Sequence, residues 1–474
     1  MNLINTSNHP APEASPVLLN GINKTLSAKY SGPGPRYTSY PTALQFNTDF
    51  TEKEYRKLLR EARKSDAPLS LYVHVPFCRW LCYYCACNKI VTKDPTVSQH
   101  YLAYLNREIE MLSKEIGNRR HVTQLHFGGG TPTFLDDAEL TELIHSLASH
   151  FNLDDDSERE YSIEIDPRTV DGDRLALLRG LGFNRLSFGV QDTNPNVQAA
   201  VNRRYDFQQL KSLMAQARSY RFNSIAIDLI YGLPKQTLST MTQTLDDVIS
   251  LSPDRIAFYH YAHMPERFPA QRAINRHTVP NSDQKLEMLC LAAEKFAQAG
   301  YVHIGMDHFV KKADSLAICQ TEGRLQRNFQ GYSTCLAPDV LAMGASSISS
   351  ILGNFSQNHK DLHHYYDALD NGHLPVAKGL ISNQEDRLRN YVISQLICNL
   401  SLDFDTFRHL FGIDFRGHFK TNFDALKELE HDGILKLSEQ GIIVTDIGRN
   451  LLRNICMVFD NYLDAETSAY SKTL

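Results

Sequence analysis

The chain has 474 residues, of which 42% are hydrophobic and 22% charged. At about 100–200 residues per domain, that length implies two to four domains or one large barrel with appendages, and the apolar content excludes wholesale disorder. The balance of 49 Lys and Arg against 54 Asp and Glu, a net charge of −5, argues against DNA or another polyanion as the main partner while leaving room for a local basic pocket.

Residues 1–15 carry no basic stretch followed by an apolar one, so no secretory signal is expected. No run of about 18 apolar residues occurs, so no membrane span is expected. Residues 1–45 lack periodicity and read as an N-terminal arm. The Pro- and Gly-rich stretch 31–41 holds Tyr37 and Tyr40, aromatic content that points to docking of part of the arm. From residue 69, β-rich runs over 69–75, 124–127, 161–165, 185–190, 224–230 and 255–260 alternate with amphipathic stretches such as 101–116, 138–151 and 207–220. That alternation predicts βαβ units and a parallel sheet, the α/β class. Each run ends in polar or glycine residues: His74 and Cys78; Gly128, Gly129 and Gly130; Glu164 and Asp166; Gln191 and Asp192; Asp228; and residues 261–263. Parallel barrels build their sites at that end of the strands. The barrel and its extension are assigned to 46–370. Beyond 371, a helix over 423–432, strands over 433–437 and 442–445, and a helix containing Leu451, Leu452 and Ile455 resemble a winged-helix unit. The first of these helices carries Asp424, Glu428, Glu430 and Asp432 against Lys427 alone. It would repel phosphate, and 371–474 reads as a packing or lid domain.

Nine cysteines, an odd and lopsided set, do not make a disulfide framework and point to a reducing, cytoplasmic setting. Four of the nine, Cys78, Cys82, Cys85 and Cys87, fall within ten residues. Their spacing lacks the second, separated ligand pair of a structural zinc site. A thioredoxin-like pair would leave Cys78 unexplained. Soft thiolates in a tight loop suit an iron–sulfur cluster, and three ligands on a four-iron cube leave one iron open. The bare backbone of the Gly128–Gly129–Gly130 run admits a ligand closely, although a tight turn explains it equally well. Cys290, Cys319, Cys398 and Cys456 read as interior thiols.

CxxxCxxC just after a strand, with Tyr84 before the third Cys, resembles the radical S-adenosylmethionine (SAM) superfamily. The segments 72–78, 85–90, 127–133, 188–192, 228–234, 304–309 and 327–332 resemble the oxygen-independent coproporphyrinogen III oxidase family over nearly the whole chain. The stretch 35–41 is similar to that family's N-terminal arm, which lies near the active site. Two departures stand out: Tyr84 replaces a more usual Phe, and Cys335 stands where a polar residue is common. The resemblance implies a partial (β/α)6 radical-SAM barrel with an N-terminal arm and a mostly helical, winged-helix-like C-terminal domain. It implies that Cys78, Cys82 and Cys85 hold a 4Fe-4S cluster and that two SAM molecules bind. The first would contact Tyr72, Tyr84, Gly129, Glu164 and Ile348; the second Gly130, Thr131, Gln191, Arg203, Asp228 and Ala262. His74 and Cys87 would serve catalysis.

The implied reaction turns two propionates of coproporphyrinogen III into vinyl groups, in heme biosynthesis. The hydrogen removed sits on an unactivated carbon, beyond any protein base, so a 5'-deoxyadenosyl radical made from SAM must take it. The four substrate carboxylates call for cations, and Arg36 and Arg327 are the candidates. An electron donor of the flavodoxin or ferredoxin type, a monomeric state and a cytoplasmic location are further expectations. The rival is a heme-binding chaperone of the same superfamily; such relatives generally lack the arm and the continuation through Cys87 and Asn88. A transcription factor is the third option, disfavoured by the acidic helix.

Overall fold

A computed structural model describes residues 24–334, 337–463, 470 and 473. The first part of the arm, residues 1–23, and Cys335 lie outside the described residues. Six strands form where the alternation places them: β1 Leu69–Val75, β2 His121–Gly129, β3 Glu160–Ile165, β4 Arg185–Gln191, β5 Ser224–Tyr231 and β6 Arg255–His260. They pair in sequence order, all parallel. The two-residue side-chain period sorts each strand into two faces. Leu71, Val73, Ile163, Phe188, Ile227 and Phe258 enter one large apolar core. The alternate positions, Tyr72, His74, Glu164, Gln191 and Asp228 among them, face the other way, into the barrel.

The sheet runs on at both edges. Asp339–Met343 adds parallel to β1, followed outward by the antiparallel strands Ile348–Ile351, Asn354–Asn358 and Val376–Leu380. On the other side, His308–Lys311 pairs antiparallel with β6 and with Tyr301–Gly305. The barrel is therefore open, a partial (β/α)6 arrangement inside a 13-stranded sheet. The alternation pattern does not reveal these flanking strands: 301–305 with 308–311 and 348–351 with 354–358 pair as hairpins, and Val376–Leu380 returns antiparallel after the helix Leu362–Asp370.

A polar layer fills the barrel's N-terminal end. Gln124 accepts from the Ser70 hydroxyl at 2.8 Å and donates to Glu160 at 3.2 Å. Arg185 pairs with Glu160 at 2.9 Å, and Thr334 donates to Glu160 at 2.9 Å. Buried polar groups satisfied in this way specify one packing of the core. Nearby, Arg120 and Asp339 form an ion pair at 2.7 Å with side chains 1% and 2% exposed. Arg120 also donates to the Ala67 and Pro68 carbonyls, at 2.7 and 2.9 Å, just before β1. Asp339→Ala leaves that guanidinium buried without its counter-charge. It is expected to lower the unfolding free energy by about 3–5 kcal/mol, measured by urea denaturation.

A second apolar core joins the C-terminal segment to the arm. The helices Gln384–Asn399, Phe404–Phe411, Phe423–His431 and Leu452–Met457 surround a three-stranded sheet in which Gly441–Val444 lies between Ser401–Asp403 and Leu435–Leu437. The predicted helix, strand, turn, strand and helix are all present; the third strand, Ser401–Asp403, was not foreseen. The arm docks on this core. Arg453 donates to the Pro35 carbonyl at 2.9 Å, the Tyr37 hydroxyl to Asp460 at 2.9 Å, and Asn390 to the Tyr40 carbonyl at 2.7 Å. Arg36 reaches β6, donating to the His260 carbonyl at 3.2 Å and lying 3.7 Å from Asp307. Among the described residues, no helix is long and apolar enough to cross a membrane.

Candidate active site

The loop after β1 carries the cysteine cluster. Its first residues, Phe77–Cys78, pair with Ile90–Val91, which closes the loop at its base. Within it the Cys85 amide donates to the Cys82 carbonyl at 3.2 Å, a turn between the second and third cysteines. The described cysteines are all free thiols. Donors surround those of the loop. The Thr131 hydroxyl lies 3.4 Å from Cys78 Sγ; Arg203 Nη1 lies 3.3 Å and Arg168 Nη2 3.7 Å from Cys82 Sγ. Lys89 Nζ donates to the Cys85 carbonyl at 3.1 Å. The two guanidiniums share Asp166, at 3.0 and 2.6 Å. Burial would raise this carboxyl, but the Arg203 and Arg168 charges outweigh it and hold Asp166 below the usual carboxylate range.

Among the described residues, no three His, Cys, Asp or Glu side chains are arranged to hold a single metal ion. Three soft thiols set apart on one loop, with arginines against the sulfur, fit a multi-iron cluster with negative sulfur ligands instead.

Beside the loop, β2 ends in the glycine run. Gly129 has φ of +118°, and a Cβ there would lie 2.8 Å from the His74 ring. A Cβ on Gly130 would lie 2.8 Å from the Pro76 and Phe77 backbone. Only glycine lets the two loops come this close. The Gly129 amide donates to Glu164 at 3.2 Å, and Glu164 lies 3.3 Å from His126 Nε2. The His126 ring stacks on Tyr72, centroids 5.8 Å apart. Tyr72 Oη is 3.1 Å from His74 Nδ1, and His74 Nε2 is 3.2 Å from the Asn88 carbonyl. A carbonyl only accepts, so Nε2 carries the proton and Nδ1 accepts from Tyr72. Burial holds His74 below its usual range, against the Asn88 bond and the Glu164 charge, so the ring is neutral. Both its nitrogens are engaged. Cys87 is exposed beside this group; its bond to the Cys85 thiol and the Cys85 charge push its thiol up.

The other expected residues come from further strands. Gln191 ends β4 with φ of +70°. Asp228, on β5, accepts from the Ser187 hydroxyl at 3.3 Å. Burial and then the Glu164 charge push its carboxyl up to about 7. The folded state therefore binds a proton more tightly than the unfolded chain does, and Asp228 costs stability as pH rises toward 7. Asp228→Asn is expected to gain on the native protein by a few kcal/mol between about pH 5 and about pH 8, read from paired denaturation curves. Tyr84 packs on a small apolar cluster of Val197, Val201, Leu233, Tyr261 and Ile274. Ile348 is joined to the group only through the sheet, starting the second strand outward from β1.

His126, Arg168 and Gln271 were missed. His126 was legible, since it shares the inward face of β2 with Gln124 and Gly128. Arg168 lies two residues past Asp166, which the strand-end pattern had already marked. Gln271 carried no signal. It is 1% exposed, donates to the Tyr84 and Ala262 carbonyls at 3.1 and 3.2 Å, and accepts from the Met264 amide at 2.6 Å. Its amide thus ties the cysteine loop to the loop after β6. Of the two candidate cations, Arg36 is engaged as described above. Arg327 stacks on Tyr332 at 4.8 Å, and its Nε and Nη1 are buried with no hydrogen-bond partner among the described residues.

The sequence pattern of the radical SAM superfamily matches residues 72–248, and that of the HemN C-terminal domain matches residues 383–451. A Pseudomonas aeruginosa protein described as oxygen-independent coproporphyrinogen III oxidase is 50% identical, over 92% of this chain and 95% of its own length. An Escherichia coli protein of the same description is 46% identical, with the same coverage of both chains. The solved structure of coproporphyrinogen III oxidase (HemN) from Escherichia coli, described as a radical SAM enzyme, aligns with a TM-score of 0.87 at 45% identity. That alignment covers 90% of this chain and 98% of the other.

Proposed function

This chain belongs to the oxygen-independent coproporphyrinogen III oxidase family, and we infer that it converts coproporphyrinogen III to protoporphyrinogen IX in heme biosynthesis. Each of two propionates gives up one hydrogen atom to the radical, releases CO2, passes one electron to an external one-electron acceptor, and becomes a vinyl group. When bound, the 4Fe-4S cluster and SAM supply the electron and the 5'-deoxyadenosyl radical that make the hydrogen abstraction possible. The rest is the work of this chain's side chains.

The observation that carries the reading is the set of three free thiols, backed by Thr131, Arg168 and Arg203, at the mouth of a barrel whose interior presents Glu164 and Asp228. Cys78, Cys82 and Cys85 hold the cluster. Tyr72, Tyr84, Gly129, Glu164 and Ile348 receive one SAM; Gly130, Thr131, Gln191, Arg203, Asp228 and Ala262 receive the other. Glu164 and Asp228 suit a ligand's ammonium or ribose hydroxyls. Arg203, already turned toward Cys82 and Asp166, supports the cluster edge as well as an approaching carboxylate. His74 orients Tyr72 and the Cys87–Asn88 backbone. The unpartnered nitrogens of Arg327 suit a substrate carboxylate, since a buried donor left unbonded costs about 1–3 kcal/mol. The barrel interior keeps water away from the radical.

The divisions 1–45, 46–370 and 371–474, a cytoplasmic setting, a monomeric state and a separate electron donor belong to the same reading. Anaerobic turnover of coproporphyrinogen III by the iron- and sulfide-loaded protein, with dithionite and SAM, tests it. Vinyl product with matching 5'-deoxyadenosine is expected. Tetrapyrrole binding without either product would favour a heme-handling role and overturn the assignment.

A further inference from the structure

Cleavage of SAM takes one electron, and the thiols of the loop, committed to holding the cluster, do not supply it. The electron must enter from outside, and one face of the cysteine loop is built to receive a donor. Trp80, the chain's single tryptophan, is 36% exposed in the middle of that loop. An indole is costly to leave in water and belongs to the residues most enriched at protein contacts. The Arg168 guanidinium lies over this ring, 4.5 Å from its centroid, and its Nη2 is 3.7 Å from Cys82 Sγ. Two contacts thus lead from solvent to a cluster ligand.

The surroundings are basic in a chain whose net charge is −5. Arg79 is exposed next to Trp80. Lys93 is exposed just past Thr92, whose amide donates to the Cys78 carbonyl at 3.0 Å. Arg204 is exposed two residues past Asn202, which donates to the Leu81 carbonyl at 2.8 Å. The exposed acids beside them are Asp94, which caps the turn at Thr96, and Asp206, which is tied to the Gln208 amide at the start of the next helix. A cationic rim around an aromatic centre selects an anionic partner and steers its approach.

We propose that the face formed by Arg79, Trp80, Lys93 and Arg204 docks an acidic one-electron carrier protein. The reduced carrier gives up one electron and is oxidised by one, and the cluster site gains that electron through the Trp80–Arg168–Cys82 contact. The proposal rests on the cluster assignment made above.

Because Trp80 is the only indole, its fluorescence reports occupancy of the face directly. A tryptophan-free acidic ferredoxin-type protein, titrated into the loaded enzyme at low salt, is expected to change Trp80 emission saturably. Lys93→Glu/Arg204→Glu should weaken that binding at least about tenfold and flatten its salt dependence. Trp80→Ala, followed by calorimetry, should weaken it as well. In all variants dithionite-driven turnover and cluster absorbance should stay near native levels while carrier-driven turnover falls. Unchanged emission, an affinity indifferent to charge reversal, or equal losses with both reductants would overturn the proposal. Absence of vinyl product in the native protein with dithionite, while the carrier still binds at Trp80, would instead count against the oxidase reading and leave the docking face standing.

Discussion

Cys82→Ala abolishes turnover and the cluster's absorbance while leaving the protein folded: that is the expected result, and the geometry says why both halves should hold. Cys82 is 7% exposed and its Sγ lies against Arg203 and Arg168. Removing the sulfur leaves both guanidiniums paired with Asp166 and Arg203 bonded to the Gly189 carbonyl at 2.9 Å. No charge is stranded, and losing one buried atom should cost no more than about 1–2 kcal/mol. Two thiols cannot retain the cube that three support. Iron analysis, visible absorbance and thermal melting separate the two effects. Native iron content in the variant would contradict the ligand assignment.

Gly129→Ala should fail differently. At φ of +118° an alanine is strained by about 1–3 kcal/mol. Its Cβ would also meet three His74 ring atoms at 2.8–2.9 Å. The ring must move, taking with it the hydrogen bond that fixes Tyr72. We expect SAM affinity to fall at least about tenfold and stability by about 2 kcal/mol, with iron content unchanged because the three thiols are untouched. Gly180→Ala, where nothing lies within 4 Å of the new Cβ, is the control and should alter neither affinity nor iron content. Equilibrium dialysis with SAM and urea denaturation make the comparison.

The contrast between these variants shows how much of the molecule could be read from its residues. The barrel strands were legible because alternation puts Leu71 and Val73 on one face and Tyr72 and His74 on the other, and because each strand ends in distinctive residues. The thiols, the glycine run, Glu164 and Asp228 were legible for the same reason, since a strand end is a defined place. Gln271 was not, because it acts through backbone carbonyls of Tyr84 and Ala262 that leave no mark on residue identity. Arg168 was hidden by a helix-start setting that any arginine could occupy. Of the flanking strands 339–343 to 376–380, the first three were hidden because short turns join them, and the fourth because it returns antiparallel after the helix Leu362–Asp370. Docking of the arm was legible in its aromatic content, but its partners Arg453 and Asp460 were not.

That arm has a consequence for how the molecule comes into being. Pro35 and Arg453 stand 418 positions apart, and Tyr37 and Asp460 stand 423 apart. The ribosome delivers the strap first and its anchors last, and domains settle as they are released. The barrel can therefore be complete while the flank at His260, where Arg36 comes to rest, still stands open. Until the last residues are released, the latch has nothing to close on.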